Sequence, residues 1–192
     1  MNEYQTLHLA IIPDGNRRWA RERSLTPWKG HETAIENFRS ITDWCRKNPR
    51  IKALTVWCYS TENWKRDPKE VAELMRMYEE YLQRERKGFV EEKTRFMHSG
   101  RLDRIPPSLA SLIRQVETET ESQKEFILNL AVDYGGKDEI IRALNKFIKA
   151  NEANEANEAI LARFLDHPDL PDIDLVIRTS GEMRTRDRKS VV

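Results

Sequence analysis

Short apolar segments alternate along the chain with longer amphipathic ones. Four segments carry apolar residues at helical spacing, namely 31–47, 68–92, 108–121 and 138–150. Five shorter segments are predicted to be strands, namely 7–12, 53–59, 94–98, 126–132 and 173–177, and 53–59 is nearly continuous in apolar residues, as a parallel strand covered on both faces should be. Strands that alternate with helices in this way predict an α/β fold, with a parallel central sheet flanked by helices.

The helix predicted over 68–92 has the clearest start. Asp67 suits the N-cap, Pro68 suits the first helical position, and Glu70 would complete a capping box. Its apolar stripe fits a plain core face and the wall of an apolar tunnel equally well. The stripe consists of Val71, Leu74, Met75, Tyr78 and Leu82.

Polar clusters follow four of the predicted strands, at 14–18, 60–66, 133–137 and 178–184. The carboxyl ends of parallel strands share one edge of a sheet, so these clusters are expected to meet. Any single arginine there could be an ordinary surface charge. Five of them together predict phosphate binding, because guanidinium groups contact phosphates through two donors at once. They are Arg17, Arg18, Arg66, Arg178 and Arg184.

Two candidate residues stand beside these arginines. Asp14 next to phosphates is a natural Mg²⁺ ligand, since Mg²⁺ binds through one or two carboxylates together with substrate phosphates. His31 fits a structural role at a helix N-terminus, and it could also donate to a phosphate. The sequence contains no Gly-x4-Gly-Lys-Ser/Thr loop and no serine nucleophile elbow, which disfavours nucleotide hydrolysis and serine hydrolase chemistry.

Composition narrows the class of protein. A chain of 192 residues suits one domain. Its net charge of +1 gives no support for nucleic-acid binding. The two cysteines, Cys45 and Cys58, have no metal-ligand spacing and predict no disulfide framework. The sequence contains no signal peptide and no apolar run long enough to span a membrane. We therefore expect a cytoplasmic protein. The Asn-Glu-Ala repeat at 151–159 is expected to face solvent.

Five motifs, in order and at the right spacing, resemble the signatures of the cis-prenyltransferases, the undecaprenyl diphosphate synthase family. The first is His-Leu-Ala-Ile-Ile-Pro-Asp-Gly-Asn-Arg-Arg-Trp-Ala at 8–20, and Gly30-His31 is the second. The third is Ser-Thr-Glu-Asn-Trp-Lys-Arg at 60–66, and the fourth is Asp-Tyr-Gly-Gly at 133–136. The fifth is Asp-Leu-Val-Ile-Arg-Thr-Ser-Gly-Glu-Met-Arg at 174–184.

The resemblance implies an undecaprenyl diphosphate synthase-like domain over 1–185, with the long helix lining an apolar tunnel. It implies Mg²⁺-dependent condensation of isopentenyl diphosphate with an allylic diphosphate, farnesyl diphosphate being the expected primer, to give a cis-polyprenyl diphosphate. It also implies a homodimer for the intact protein, peripheral membrane contact during product release, and no nucleic-acid partner.

The resemblance assigns roles to individual residues. Asp14 would hold Mg²⁺ near the diphosphates, Asn63 would assist proton removal, and Arg66 would bind the allylic end. The allylic diphosphate site would be lined by Gly15, Asn16, Arg17, Arg18, Trp19 and His31. The reaction site would be shaped by Ser60, Thr61, Glu62 and Trp64. Isopentenyl diphosphate would be held by Arg178, Arg184 and Thr185, and Arg186 is grouped with these substrate-binding residues.

The sequence departs from the family pattern in three places. Pro27 stands where the family usually has Arg, and Arg17 stands where it usually has Gly. The pattern breaks after Thr185, and the last six residues match the translation of a common sequencing-adapter string. We therefore expect 186–192 to be non-native and the chain as given to be inactive.

Two other classes compete with this interpretation. A non-catalytic partner subunit of the same fold typically lacks the Asp and Arg of the first motif, which are present here as Asp14 and Arg18. A trans-prenyltransferase is all-helical and carries Asp-Asp-x-x-Asp motifs, but this chain has no Asp-Asp pair.

Overall fold

The structure is a computed structural model in which residues 6–151 and 155–181 are described. Its centre is a sheet of five strands, all paired in parallel. The strands are β1 (Leu7–Ile12), β2 (Ile51–Ser60), β3 (Thr94–Ser99), β4 (Phe126–Tyr134) and β5 (Leu175–Arg178). Their spatial order is β3-β4-β2-β1-β5, so the predicted parallel α/β fold is confirmed.

The helices flank this sheet. They are α1 (Asn16–Glu22), α2 (Pro27–Lys47), α3 (Pro68–Glu91), α4 (Pro107–Thr120), α5 (Gly136–Ala150) and α6 (Glu158–Ala162). All four predicted helices are present. Helix α2 begins four residues before its predicted start, because Pro27 takes the first turn, where a missing N–H costs nothing. Within the described residues, no helix is long and apolar enough to cross a bilayer.

The start of α3 differs from the prediction in one respect. Asp67 Oδ1 accepts hydrogen bonds from the backbone N–H groups of Lys69 at 2.8 Å and Glu70 at 3.4 Å, as an N-cap should. The Glu70 carboxylate does not return to the Asp67 amide. It faces Arg66 and His31 at the end of the sheet, so only half of the predicted capping box forms.

Helices α2, α3 and α4 pack on the sheet through one apolar cluster. Phe89 of α3 stacks on Phe96 of β3 with ring centroids 5.8 Å apart, and Leu109 and Ile113 of α4 are fully buried beside them. Each such side chain contributes about 1.5–3 kcal/mol by leaving water. The cluster fixes the positions of the strand ends that carry the polar residues.

A row of hydrogen-bonded polar side chains crosses four adjacent strands. Ser99 Oγ donates to Asn129 Oδ1 at 3.1 Å, and Asn129 Nδ2 donates to Thr55 Oγ1 at 3.2 Å. His8 Nε2 lies 2.8 Å from Thr55 Oγ1, and His8 Nδ1 lies 2.7 Å from the Pro171 carbonyl oxygen. Burial lowers the pKa of His8, so the neutral ring donates from Nδ1 and accepts the Thr55 hydroxyl at Nε2. A slip of one residue would break this row, so it helps to fix the register.

Candidate active site

The polar clusters that follow the strands meet at one edge of the sheet. Asp14 after β1 pairs with Arg178 at the end of β5, and the backbone N–H of Thr61 after β2 donates to the Tyr134 carbonyl of β4 at 3.2 Å. The convergence expected from parallel pairing is therefore present.

The turn after β1 requires glycine. Gly15 has φ +92°, a conformation that other residues adopt with difficulty, and a Cβ there would collide with the Ser180 side chain. Its backbone N–H donates to Asp14 Oδ1 at 2.7 Å, and α1 begins at the next residue, Asn16. This turn sets the direction of the Asp14 carboxylate.

Asp14 is also held by the segment that follows β5. Arg178 Nη2 lies 2.6 Å and Nε 3.2 Å from Asp14 Oδ2. Thr179 Oγ1 accepts from the Asp14 backbone N–H at 2.8 Å, and the Ser180 hydroxyl donates to the Asp14 carbonyl at 2.9 Å. The Arg178 side chain is 6% exposed and that of Asp14 is 36% exposed, so the acid, and not the arginine, faces the solvent side of the pair.

Glu70 is a component of the site for which sequence reasoning gave only a capping role. Its carboxylate Oε1 lies 3.5 Å from Arg17 Nε, 3.5 Å from Arg66 Nη1 and 3.7 Å from His31 Nε2, and its side chain is only 5% exposed. The i,i+4 spacing of Arg66 and Glu70 could have indicated this contact. A buried carboxylate between two guanidinium groups keeps the arginines close together and offsets part of their charge.

His31 stays neutral at pH 7. Burial, together with the charges of Arg66 and Arg17, lowers its pKa to about 4. Its Nε2 is buried without a hydrogen-bond partner in the described residues. A neutral imidazole at this position can donate or accept one hydrogen bond toward a bound ligand.

The turn after β2 brings the next group of residues to the same edge. Asn63 begins a single 3₁₀ turn, Asn63–Lys65, and its Oδ1 accepts a hydrogen bond from the Ser60 backbone N–H at 3.1 Å. Trp64 Nε1 donates to Asp133 Oδ1 at 2.8 Å. Ser60 and Asn63 line a cavity, whereas Thr61, Glu62 and Trp64 lie outside its wall.

That cavity, of about 380 Å³, is polar at one end and mainly apolar along the rest of its length. The polar end is formed by Asp14, Asn16, His31, Ser60, Asn63, Arg66 and Thr179. The apolar walls come from three elements. Helix α2 contributes Ala34, Ile35, Phe38 and Ile41, and helix α3 contributes Leu74, Tyr78 and Tyr81. The sheet contributes mainly Ile11, Val56, Trp57, Cys58 and Tyr59.

The stripe predicted for α3 divides between the two roles that the sequence pattern left open. Leu74 and Tyr78 line the cavity, but Val71, Met75 and Leu82 are buried in the core and do not line it. Helix α2 supplies a larger share of the wall, which the sequence pattern did not predict. The Tyr78 hydroxyl donates to the Cys58 carbonyl at 2.9 Å, so α3 is tied to β2 across the cavity.

Some of the predicted site residues lie at the periphery. Arg18 is exposed, and its Nη2 donates to the Ser180 carbonyl at 3.0 Å. Arg17 is 57% exposed on its side chain, and Trp19 stacks under the Arg23 guanidinium, 4.4 Å from the ring centroid. The predictions for Arg184, Thr185 and Arg186 fall outside the described residues.

The residues at the polar end fit Mg²⁺ bound together with a phosphate ligand. Asp14 offers one partly exposed carboxylate, Arg66 lines the same end of the cavity, and Arg178 is held against Asp14. Within 6–151 and 155–181 no cluster of three His, Cys, Asp or Glu side chains could enclose a metal on its own. A metal held by one carboxylate and the substrate suits this donor set.

Comparison with known proteins identifies the family. The model of the family described as putative undecaprenyl diphosphate synthase matches residues 12–187. The chain belongs to the cis-prenyltransferase family. An isoprenyl transferase from Fusobacterium nucleatum is 41% identical over 177 residues, which cover 92% of this chain and 76% of that protein. An isoprenyl transferase from Wolinella succinogenes is 43% identical with the same coverage.

Two solved cis-prenyltransferase-like structures share the fold. Lavandulyl diphosphate synthase from Lavandula x intermedia, in complex with dimethylallyl diphosphate, superposes with a TM-score of 0.86 at 33% identity, covering 95% of this chain and 81% of that one. A probable undecaprenyl diphosphate synthase from Campylobacter jejuni superposes with a TM-score of 0.76 at 30% identity, covering 96% and 78%. The relatives named isoprenyl transferase support prenyl transfer as the general activity of this cis-prenyltransferase.

Proposed function

We propose that this protein condenses isopentenyl diphosphate with an allylic diphosphate, in the presence of Mg²⁺, to give a cis-polyprenyl diphosphate. Farnesyl diphosphate is the proposed primer, and the product is the precursor of a polyprenyl lipid carrier. Each cycle forms a carbon–carbon bond between the two substrates, releases diphosphate from the allylic one, and removes one proton from the isopentenyl unit.

The observation that carries the proposal is the change in polarity along a single cavity. Arg66, His31 and Asn63 stand at one end, and mainly aliphatic and aromatic side chains line the rest. An allylic diphosphate has the same division, with a charged head and an apolar tail. The tail loses water contact in the apolar section, while the head stays among hydrogen-bond donors.

The roles of the polar residues follow from the charge that develops in the reaction. The departing diphosphate gains negative charge, which the Arg66 guanidinium and a hydrogen bond from neutral His31 would stabilise. Asp14 would hold Mg²⁺, which supplies further charge neutralisation when bound. Arg178, beside Asp14, would bind the diphosphate of the isopentenyl unit, and Asn63 at the cavity wall would orient the group that takes the proton.

The test is an assay with labelled isopentenyl diphosphate and dimethylallyl, geranyl or farnesyl diphosphate, with Mg²⁺ or with EDTA. The assay compares the 192-residue chain with a chimera. In the chimera, the C-terminal segment of the Fusobacterium nucleatum relative that follows its aligned region replaces residues 186–192. Product sizes are read by chromatography of the radiolabelled lipids.

We expect Mg²⁺-dependent chain extension by the chimera and little or none by the 192-residue chain. Turnover by both proteins would contradict the expected inactivity and leave the proposed function standing. A chimera that binds farnesyl diphosphate but forms no product with any primer would overturn the function in favour of a non-catalytic partner subunit. Retention of Asp14 and Arg18 argues against that alternative.

We further propose that the intact enzyme is a cytoplasmic homodimer that contacts the membrane only during product release. This rests on family membership alone. Light scattering of the chimera should return twice the mass of one chain, and flotation with liposomes should recover it only after product has formed. A monomer at micromolar concentration would contradict the dimer.

A further inference from the structure

Asp133 is a fully buried acid at the edge of the candidate active site. Its exposed fraction is 0%, and it lies where the pairing of β2 and β4 is irregular. Tyr59 pairs with Val132 and Ser60 pairs with Tyr134, so Asp133 is an extra residue on its strand. Its φ of +54° is the left-handed conformation, which Asp tolerates better than most residues. The bulge turns the carboxylate out of the ladder.

The carboxylate joins two segments that are distant in sequence. Arg104, in the loop between β3 and α4, donates from Nε to Asp133 Oδ2 at 2.8 Å and from Nη2 to Oδ1. Trp64 Nε1 donates to the same Oδ1 at 2.8 Å. The Asp133 carbonyl also accepts from the Arg101 backbone N–H at 3.1 Å. The guanidinium compensates the buried charge, and the indole takes a further acceptor site.

Trp64 connects this carboxylate to the cavity wall. It is the middle residue of the turn Asn63–Lys65, directly after Asn63. Its ring meets Tyr59 edge-on at a centroid distance of 5.3 Å, and Tyr59 lines the cavity. An indole held both at its N–H and by a ring contact leaves the turn little freedom, so the position of the Asn63 side chain depends on where Trp64 is held.

We infer that Asp133 is a positioning residue: through its ion pair with Arg104 it holds Trp64 and thereby sets Asn63 at the cavity wall. The inference rests on the proposed function for the role of Asn63. The charged form matters because a carboxylate only accepts, and both neighbours donate. An amide oxygen in the place of Oδ1 could still accept from Trp64, but the NH₂ group in the place of Oδ2 would then face Arg104 Nε, which is a donor.

The substitutions are Asp133→Ala, Asp133→Asn, Arg104→Gln and the double variant of Arg104→Gln with Asp133→Asn. Arg101→Gln is the matched control, because Arg101 lies in the same loop as Arg104 but its side chain pairs with Asp103 and with Asp138 of α5, and does not touch the Asp133 carboxylate. The first readout is the indole ¹⁵N–¹H resonance of Trp64, assigned with Trp64→Phe. The second is the separation of kcat from KM in the chimera.

We expect Asp133→Ala to shift the Trp64 resonance and to speed its exchange with solvent, and to lower kcat by roughly tenfold to a hundredfold while KM changes little. Arg104→Gln should shift the Trp64 resonance and lower kcat more than Asp133→Asn does, since it leaves the buried Asp133 carboxylate without its cation. The double variant should match Asp133→Asn in both the Trp64 resonance and kcat.

An unshifted Trp64 resonance in Asp133→Ala would overturn the inference, as would a double variant no better than Arg104→Gln. Losses in Arg101→Gln equal to those in Arg104→Gln would show general loop damage instead. The Trp64 resonance is measured without turnover, so it tests the positioning of Trp64 even in an inactive protein. Failure of the proposed function would instead appear in the chain-extension assay. If Asp133→Ala does not fold, the comparison of Arg104→Gln with its double variant decides.

Discussion

Arg178 and Asp14 form an ion pair in which two guanidinium nitrogens lie 2.6 and 3.2 Å from a single carboxylate oxygen, Oδ2. The other oxygen, Oδ1, accepts from the Gly15 backbone N–H. Asp14 is therefore oriented before any ligand arrives. In the proposed reaction, the acid would share its charge between Arg178 and the metal, while the arginine contacts a diphosphate.

Removal of the acid gives the first prediction. Asp14→Ala should lower turnover at least roughly a hundredfold, the scale for loss of one preorganised charge-stabilising group. Asp14→Asn, which keeps the size and can still accept from Gly15, should be nearly as defective because the charge is absent. Initial rates over a Mg²⁺ titration measure the effect. Near-normal activity of either variant would remove Asp14 from the reaction.

Arg178 should act mainly on one substrate. Arg178→Ala is expected to raise KM for isopentenyl diphosphate about tenfold or more and to leave KM for the allylic primer within about threefold. Arg178→Lys should restore only part of this, because an ammonium group cannot reproduce the two-nitrogen contact. Rates with each substrate varied in turn give the comparison. A loss confined to the primer would reverse the assignment of the two phosphate sites.

Asn63 should affect the rate more than binding. Asn63→Ala is expected to lower kcat by roughly a hundredfold with little change in KM, since a group that assists proton transfer acts mainly in the transition state. Asn37→Ala removes an amide from α2 on the same cavity and serves as the control. If Asn63→Ala raises only KM, this residue binds substrate and does not assist the chemistry.

The width of the apolar section should limit product length. Ala34 lines the cavity from α2, and Ala34→Leu adds about three methylene-sized groups to a confined space. We expect shorter products with the first condensation near its normal rate. Ser40→Leu adds similar bulk on the exposed part of the same helix and should leave product length unchanged. Chromatographic sizing of the lipids tests both, and equal product lengths in the two variants would show that this part of the cavity does not hold the chain.

Acid should destabilise the fold through buried histidine. Burial lowers the pKa of His98 from 6.5 to about 4. Between pH 6.5 and about pH 4, His98 is therefore mostly protonated in the unfolded chain and mostly neutral in the folded protein. Stability is therefore complete above about pH 6.5 and falls as the pH drops toward 4. At pH 5 the loss from His98 is about 2 kcal/mol.

His98→Gln should remove that part of the loss, because an amide can donate to the Val132 carbonyl as His98 Nε2 does at 3.0 Å, and it does not titrate. Urea unfolding at neutral pH and at pH 5 gives the two free energies for each protein. Both proteins keep Asp166, His167 and Arg142, whose charges act on His98, and Glu117, which accepts from the His98 backbone N–H. A variant with the wild-type difference between the two pH values would contradict the assignment.

Hydrophobic patterning was sufficient for the sheet and helices but not for all of the site. Segments such as 7–12 and 126–132 are apolar on both faces because helices cover both sides of a parallel sheet, so their positions were predictable. Residues at the strand ends could be grouped at one edge because parallel pairing requires it, and Asp14 and Arg178 lie there.

The missed features depend on packing angles and local irregularity. Glu70 was assigned a cap because its spacing from Asp67 satisfies that pattern equally well, and only the packing of α3 against α2 turns it toward His31. The bulge at Asp133 leaves no mark in an apolar run, since one extra residue changes the direction of a side chain without changing composition. The share of the wall supplied by α2 likewise depends on how that helix lies over the sheet.

The adjacency of β1 and β5 also determines when the binding edge can assemble. Asp14 and Arg178 are separated by 164 positions in the chain and become neighbours only when the last strand pairs with the first. Contacts of such long sequence separation form late, because closing the intervening loop is entropically costly. A nascent chain that has released only β1 to β4 can already bury its central strands, yet it lacks half of the Asp14 pair. In the proposed mechanism, the part of substrate binding that needs the Asp14–Arg178 pair therefore arises only once β5 has paired with β1, after the apolar cavity has formed.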